Sequence, residues 1–181
     1  RLLSRGLGDV YKRQGTIETY LVWNLTKEKK HKTDATNASR TMLMNLETLE
    51  WDNSLLEIFN IPKSILPEIC SCDDNFGSID VSNQRFPITG VIGDQQSALF
   101  GQNCFEFGEM KSTYGTGCFL MVNTKEKIYK SEAKLLSTVG CMLGNKVSYA
   151  LEGSIFSAGT SIQWLRDEMR FFDDSSKSED L

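Results

Sequence analysis

The sequence predicts an α/β chain holding parts of two folding units, and three observations carry that reading. Residues 15–69 show helical apolar spacing broken by polar, cap-rich loops. Residues 109–153 hold four short strand-like stretches parted by tight glycine turns, and a helical pattern follows them directly. That β-β-β-β-α order argues for a mixed sheet packed by a helix. A change of character near residue 87 divides the chain into residues 15–86 and residues 87–181, neither of which reads as a complete unit.

Residues 1–14, RLLSRGLGDVYKRQ, are basic and aperiodic and are read as an artefactual or non-native segment outside the fold. GTIETYLVWNLT, residues 15–26, sets Ile17, Tyr20, Leu21 and Leu25 near helical spacing behind Thr16 as a cap, which predicts an amphipathic helix. TDATNASRTMLMNLETLEWD, residues 33–52, opens on a Thr/Asn/Ser-rich loop that could line a cleft or simply cap and turn the chain. NSLLEIFNI, residues 53–61, reads as a short helix stopped by Pro62, and PKSILPEI repeats the pattern. CSCDDNFGSIDVSNQRF, residues 70–86, reads as a loop with a strand at its centre.

From Pro87, PITGVIG is a compact β-branched stretch that reads as a strand, and DQQSALFGQNCF, residues 94–105, reads as a helix with Asp94 at its N-cap. Strands are expected over residues 109–115, 118–124, 135–143 and 146–153, with turns at Gly115-Thr116-Gly117 and Gly144-Asn145. SIFSAGTSIQWLRDEMRFF, residues 154–172, carries Ile155, Phe156, Ala158, Ile162 and Leu165 at helical intervals.

A chain of 181 residues with 40% hydrophobic composition can bury one core or parts of two. Its net charge of −4 arises from interspersed signs, which argues against a nucleic-acid footprint or a polybasic membrane patch. The short run KEKKHK, residues 27–32, reads as a solvated loop. No apolar run has the length to span a bilayer and the start lacks the apolar centre of a signal peptide, so the cytoplasm is the expected location.

Five cysteines, at 70, 72, 104, 118 and 141, read as reduced and mostly buried thiols. Cys70 and Cys72 lack the usual metal-pair spacing and a second pair, so no metal ligands are assigned. The single histidine, His31, stands among lysines, where solvent exposure and a depressed pKa are expected. Ser-His-Asp and Cys-His mechanisms therefore have little to rest on.

Three motifs remain that could carry chemistry. In GVIGDQQSALFG, Asp94 either presents its carboxylate to a cleft as a general base or merely caps the helix. The amide of Gln95 donates and accepts at once, which suits a neutral polyhydroxyl ligand. In STYGTGCF, two glycines around Thr116 would let the backbone approach a phosphate, although plain hairpins share the pattern. In SAGTSIQWL, Gly159 and Gln163 fall on one helical face, where a small residue admits either a flat ring or a neighbouring element, and Trp164 reads as core or interface.

These stretches, together with GTIETYLVWNLT, TDATNASRTMLMNLETLEWD, IPKSILPEI and YALEGSIFSAGTSIQWLRDEM, resemble in order the FGGY carbohydrate kinase family over roughly residues 15–172. GDQQ followed by TYGTGCF is similar to the glycerol-phosphorylating members. The resemblance implies the ribonuclease-H-like, actin-like ATPase fold, with two domains and a cleft for substrate and ATP between them. It implies ATP-dependent phosphorylation of glycerol to sn-glycerol 3-phosphate with Mg²⁺, and glycerol and ATP rather than nucleic acid as partners. By the same resemblance Asp94 is the catalytic base, Asp94, Gln95 and Phe119 contact glycerol, Thr116 contacts phosphate, and Gly159 and Gln163 belong to the nucleotide site. A homo-oligomer is implied for the full-length protein. Phosphoryl transfer needs positioning and charge stabilisation more than a strong base, so an ordinary carboxylate suffices for the role given to Asp94.

The departures from the family are specific. Its N-terminal Asp-x-Gly-Thr-Thr/Ser phosphate loop, its early Arg-Glu and aromatic glycerol contacts and its downstream Gly-Gly adenine segment have no counterpart in the sequence, so the isolated chain is expected to be an inactive internal fragment. Lys125 stands where a glycine is common. Arg85 stands where some bacterial members bind an allosteric sugar bisphosphate, but Asn83 replaces their glycine, and the regulation is not carried over. A kinase for another polyol or ketose and a catalytically inactive binding protein are the rival expectations.

Overall fold

In the computed structural model, which describes residues 13–180, the first unit is organised around a buried carboxylate. Strand β1 (Lys32–Asp34) pairs in parallel with β4 (Glu68–Cys70), Asp34 lying opposite Cys70. Asp34 then caps the short helix α2 (Ala35–Ala38). Its carboxylate accepts from the amides of Thr36 at 2.8 Å and Asn37 at 3.4 Å, from the Asn37 side-chain amide at 2.7 Å, and from the Thr36 hydroxyl. With every donor in place, a fully buried Asp34 is tolerable where an unpaired carboxylate would not be. The Thr/Asn/Ser-rich stretch is thus a strand end and a helical turn.

The first unit also contains more sheet than its sequence suggests, in small pieces. Strands β2 (Met44–Asn45) and β3 (Glu50–Trp51) form one antiparallel hairpin, and β5 (Ser78–Val81) and β6 (Gln84–Pro87) another. Helix α3 (Asn53–Phe59) is capped by Asp52 and ends at Asn60 in the left-handed region, before Pro62 is reached. The strand expected across PITGVIG is not a ladder strand beyond Pro87. Residues 88–93 run extended beside 72–77 instead, where Phe76 donates to Ile88 O, Ile88 to Gly77 O and Val91 to Cys72 O at 2.8–3.0 Å.

Helix α1 (Ile17–Leu25) forms where expected, and the residues of its apolar stripe are exposed in this chain. Ile17 is 73% exposed, and Tyr20, Leu21 and Leu25 are also exposed, while Thr19 and Val22 are buried. The inward face is set by polar pairing: Glu18 accepts from the Thr33 hydroxyl of β1 at 2.7 Å and from the Thr19 hydroxyl at 3.2 Å. Thr16 precedes the helix without a side-chain capping bond.

In the second unit, β7 (Met110–Tyr114), β8 (Cys118–Lys125), β9 (Leu136–Leu143) and β10 (Lys146–Ile155) stand in the order β7-β8-β10-β9. All three pairings are antiparallel, so the mixed sheet read from the sequence is corrected to an antiparallel one. The β9–β10 turn places Gly144 at φ +54°, which glycine adopts without Cβ strain. Helix α4 (Asp94–Gly101) covers one sheet face through Leu99, which packs with Cys104, Met121 and Ala150. Helix α5 (Gly159–Asp167) is shorter than the span 154–172, because β10 continues to Ile155 opposite Cys118 and leaves Phe156 exposed.

The main core crosses the chain: Ala35, Ala38, Met44, Trp51 and Leu56 pack with Val139 and Tyr149. Trp51 and Tyr149 spend their polar ends on backbone carbonyls, Pro67 O and Leu46 O, both at 2.8 Å. All five cysteines are free, with Cys70, Cys72 and Cys104 buried and Cys118 and Cys141 partly so. Among the described residues no helix is long and apolar enough to cross a membrane. Of the segment set aside above, residues 1–12 lie outside the described residues, whereas Arg13 and Gln14 meet the fold: the Gln14 amide donates to Ile65 O at 2.9 Å and both residues contact His31.

Candidate active site

The position of Asp94 is decided by a neighbour far away in sequence. The Gly93 amide donates to the Thr36 hydroxyl at 2.8 Å, which ties the chain entering α4 to the Asp34–Thr36 cluster. Gly93 is the N-cap of α4, and Asp94 is its first helical residue, which corrects the cap role expected of Asp94. A Cβ at 93 would come within 2.7 Å of Gln96 Oε1, so a larger residue there would require the Gln96 side chain to shift. Asp94 is exposed, and its Oδ1 accepts only from the adjacent Gln95 amide, at 2.8 Å.

Sheet register shows what Asp94 and Gln95 look onto. Lys111, Met121 and Glu152 lie side by side across β7, β8 and β10, and Thr113, Phe119 and Ser154 form the next row. Directly opposed residues share a face and alternate residues return to it, so both rows lie on the face that α4 covers. Lys111 is 1% exposed, and its ammonium donates to Gln95 Oε1 and, at 2.9 Å, to the Thr113 hydroxyl. Burial holds the Lys111 pKa below the ordinary lysine value, with the charges of Glu152 and Asp94 pulling it back up. Phe119, half-buried in β8, stands beside Thr113.

Glu152, 4% exposed, accepts from Arg40 at 2.8 Å, and its other carboxylate oxygen is buried with no partner. Gln96 reaches the Thr138 hydroxyl at 3.4 Å, and Ser39 meets the same hydroxyl at 2.8 Å. Thr36, Ser39 and Arg40 therefore join the segment around α2 to the start of α4 and to the four-stranded sheet.

A second cluster forms at the β7–β8 turn, just past the Thr113–Phe119 row. The turn Gly115–Gly117 closes on itself through a bond from the Gly115 amide to Gly117 O at 2.9 Å. The amides of Ala158 and Gly159 donate to Thr116 O and Gly115 O at 2.9 and 3.0 Å, so the start of α5 is docked on the turn. A Cβ at Gly159 would meet Gly115 O at 2.5 Å, and one at Gly117 would meet Ile155 O at 2.6 Å. Thr116 is exposed, and Gln163 lies exposed one helical turn after Gly159. The sequence-predicted residues thus fall into two groups: Asp94, Gln95 and Phe119 around Lys111, and Thr116 with Gly159 and Gln163.

Lys111, Glu152, Arg40 and Thr36 were absent from the sequence-based set. A usable signal existed for Lys111 and Glu152, since each is a charge at an inward position of a strand pattern. None existed for Arg40 and Thr36, whose partners lie 112 and 57 positions away.

The N-terminal domain model of the FGGY family of carbohydrate kinases matches residues 9–101, and the C-terminal domain model of that family matches residues 110–181. The chain belongs to the FGGY family of carbohydrate kinases. It is 55% identical to a glycerol kinase of Fusobacterium nucleatum over 168 residues, covering 91% of this chain and 34% of the relative. It is 53% identical to a glycerol kinase of Marinomonas sp. over 169 residues, covering 92% and 34%. Among solved structures it matches Plasmodium falciparum glycerol kinase with ADP at a TM-score of 0.85 and 47% identity, over 92% of this chain and 34% of that one. The chain therefore spans about a third of the length of the curated relatives it matches. Its fold is that of the FGGY kinases, the ribonuclease-H-like, actin-like ATPase fold, with parts of both domains present. Asp94 and Gln95 lie within the N-terminal match, and Lys111, Phe119 and the α5 turn lie within the C-terminal one.

Proposed function

We propose that the protein carrying this chain is a glycerol kinase, transferring the γ-phosphoryl group of ATP to a terminal hydroxyl of glycerol to give sn-glycerol 3-phosphate. One observation carries the reading: an exposed Asp94 at the start of α4 sits beside a Gln95 amide that is held from below by Lys111, over the sheet row containing Phe119. Relatives at 53–55% identity are glycerol kinases, and a match at 47% identity is a glycerol kinase with ADP.

In this reading Asp94 takes the proton of the terminal hydroxyl as that oxygen bonds to the γ-phosphorus and the bond to ADP breaks. Gln95 hydrogen-bonds a neighbouring hydroxyl, and Phe119 offers an apolar wall to the carbon backbone. Thr116, Gly159 and Gln163 would hold the nucleotide. The docking of the start of α5 on the Gly115–Thr116 turn supports this by bringing Thr116, Gly159 and the helix that carries Gln163 together. Mg²⁺, bound with the nucleotide, would supply charge neutralisation on the phosphates. A cytoplasmic location and a homo-oligomer are part of the same proposal and rest on family membership.

The test is ATP-dependent phosphorylation of glycerol, with other polyols and ketoses in parallel, by the natural full-length protein and by its Asp94→Asn variant. Preferred turnover of glycerol, lost in the variant while glycerol binding persists, supports the reading. Preference for another polyol, or unchanged turnover in the variant, overturns it.

A further inference from the structure

We propose that Lys111 is a positioning residue: it locks the side-chain amide of Gln95 so that the NH₂ end faces the cleft beside Asp94, making the pocket a hydrogen-bond donor at that point. An ammonium has three donors and no acceptor, so the group of Gln95 that meets it is the carbonyl oxygen. The structure has this arrangement, with Lys111 Nζ donating to Gln95 Oε1. The NH₂ of a planar amide then points away from the lysine, and its orientation is fixed by chemistry rather than by rotamer preference.

The lysine is placed for this and little else. It is 1% exposed on the sheet face beneath α4, its second bond goes to Thr113, and Glu152 in the same cross-strand row supplies countercharge. Glu152 is itself anchored by Arg40. Lys111 thus reaches out of the sheet to the second residue of α4, next to Asp94.

The consequence is a matched pair of neighbours at the mouth of the helix. The carboxylate of Asp94 only accepts and the exposed end of Gln95 only donates, so two adjacent hydroxyls of a polyol are read with opposite polarity. A free amide would be able to present either end, and binding would then include the cost of choosing one. Discrimination against a ligand whose group at that place can only donate follows from the same geometry.

The proposal rests on the reading of Asp94 and Gln95 as the polyol end of the site, and the experiment separates the two. In the natural full-length protein, Lys111→Met is compared with wild type on whichever polyol the wild type turns over best. The KM for that polyol is expected to rise about tenfold, as for loss of one well-placed hydrogen bond, with the KM for ATP essentially unchanged. Lys111→Arg, which keeps the donors and the charge, is expected to restore most of the loss. In a Gln95→Leu background Lys111→Met is expected to have no further effect on KM, because its action passes through Gln95. Additive effects, or an unchanged KM in folded Lys111→Met, overturn the proposal. If Lys111→Met does not fold, Lys111→Leu, which likewise has no donor, takes its place with the same expectations. A wild type that prefers a polyol other than glycerol ends the glycerol reading and leaves Lys111 to be judged on that polyol. Independently of turnover, the ¹H–¹⁵N signals of the Gln95 side chain, identified by their loss in Gln95→Leu, are expected to shift in Lys111→Met. Unmoved signals overturn the proposal.

Discussion

The Gly93 amide donates to the Thr36 hydroxyl at 2.8 Å across 57 positions of sequence, while the same hydroxyl donates to the buried carboxylate of Asp34. This relay sets the backbone from which α4, and with it Asp94, departs. Thr36→Val keeps the shape and removes both bonds, leaving a buried N–H without a partner at a cost of about 1–3 kcal/mol. Thr36→Ser retains them. We expect urea unfolding to show that loss for the valine variant alone. We also expect kcat to fall further in Thr36→Val than in Thr36→Ser, because Asp94, the proposed base, follows the displaced Gly93 directly.

Asp94→Asn replaces an acceptor-only carboxylate by an amide of the same size. General-base action contributes about 10²–10⁴ in rate, so kcat is expected to fall by at least about 100-fold. Because Asp94 is exposed and its one bond, from the adjacent Gln95 amide, can be kept by the Asn oxygen, the unfolding midpoint should move little. A stability loss comparable to that of Thr36→Val would return Asp94 to a structural role.

Glu152 and Arg40 are coupled differently. Glu152 is buried with one oxygen on Arg40 and one without a partner, whereas Arg40 is partly exposed. Removing the partner of a buried charge costs about 3–5 kcal/mol, so Arg40→Met is expected to destabilise strongly, less the share of Glu152 countercharge that Lys111 supplies. Adding Glu152→Gln to Arg40→Met should recover part of the loss. Thermal unfolding of the two single variants and the double variant reads this directly.

The contrast between these sites and the rest explains what the sequence could tell. Strands β7 to β10 and their glycine turns were legible because period-2 patterning and turn chemistry are local. The residues of α4 and of the Gly115–Gly117 turn were legible through local composition and through family resemblance. Asp34, Thr36 and Arg40 looked like loop polarity because each also meets a distant partner, Cys72, Gly93 and Glu152 respectively, and the burial of Asp34 and Thr36 is a tertiary fact. Helix α1 formed where its spacing predicted, with Thr19 and Val22 buried and Ile17, Tyr20, Leu21 and Leu25 exposed in a chain that spans about a third of its relatives' length. The cap role expected of Asp94 failed by one residue, since Gly93 occupies the cap and is held by a side chain rather than by a local motif.

Gly159→Ala tests the second cluster. Its new methyl would meet Gly115 O at 2.5 Å, and backbone has to move to admit it. The expected result is a shift of the start of α5 away from the Gly115–Thr116 turn. The KM for ATP is then expected to rise by a larger factor than the KM for polyol, measured by varying each at saturating levels of the other. Equal changes in both would separate the turn from nucleotide binding.

His31 gives a pH dependence whose sign is fixed by its contacts. Its Nε2 lies 2.8 Å from Gln14 O, an acceptor only, so Nε2 carries the proton and donates. Nδ1 faces the Arg13 guanidinium at 3.4 Å, where a second proton would meet a positive group. Burial, and then Arg13, hold the pKa below the ordinary 6.5, opposed by the Gln14 carbonyl. The unfolded chain therefore takes up its proton first as pH falls, and stability declines from pH 6.5 down to the folded value. Above pH 6.5 this histidine contributes no slope. Asp52, Asp73 and Asp74, whose pKa values are held below the ordinary 3.8 by hydrogen bonds, add their own losses only under more acidic conditions. The urea midpoint is expected to fall between pH 7.5 and 5, and His31→Gln, which keeps a donor but cannot be charged, should flatten that fall. An equal slope in the variant would assign the effect to groups other than His31.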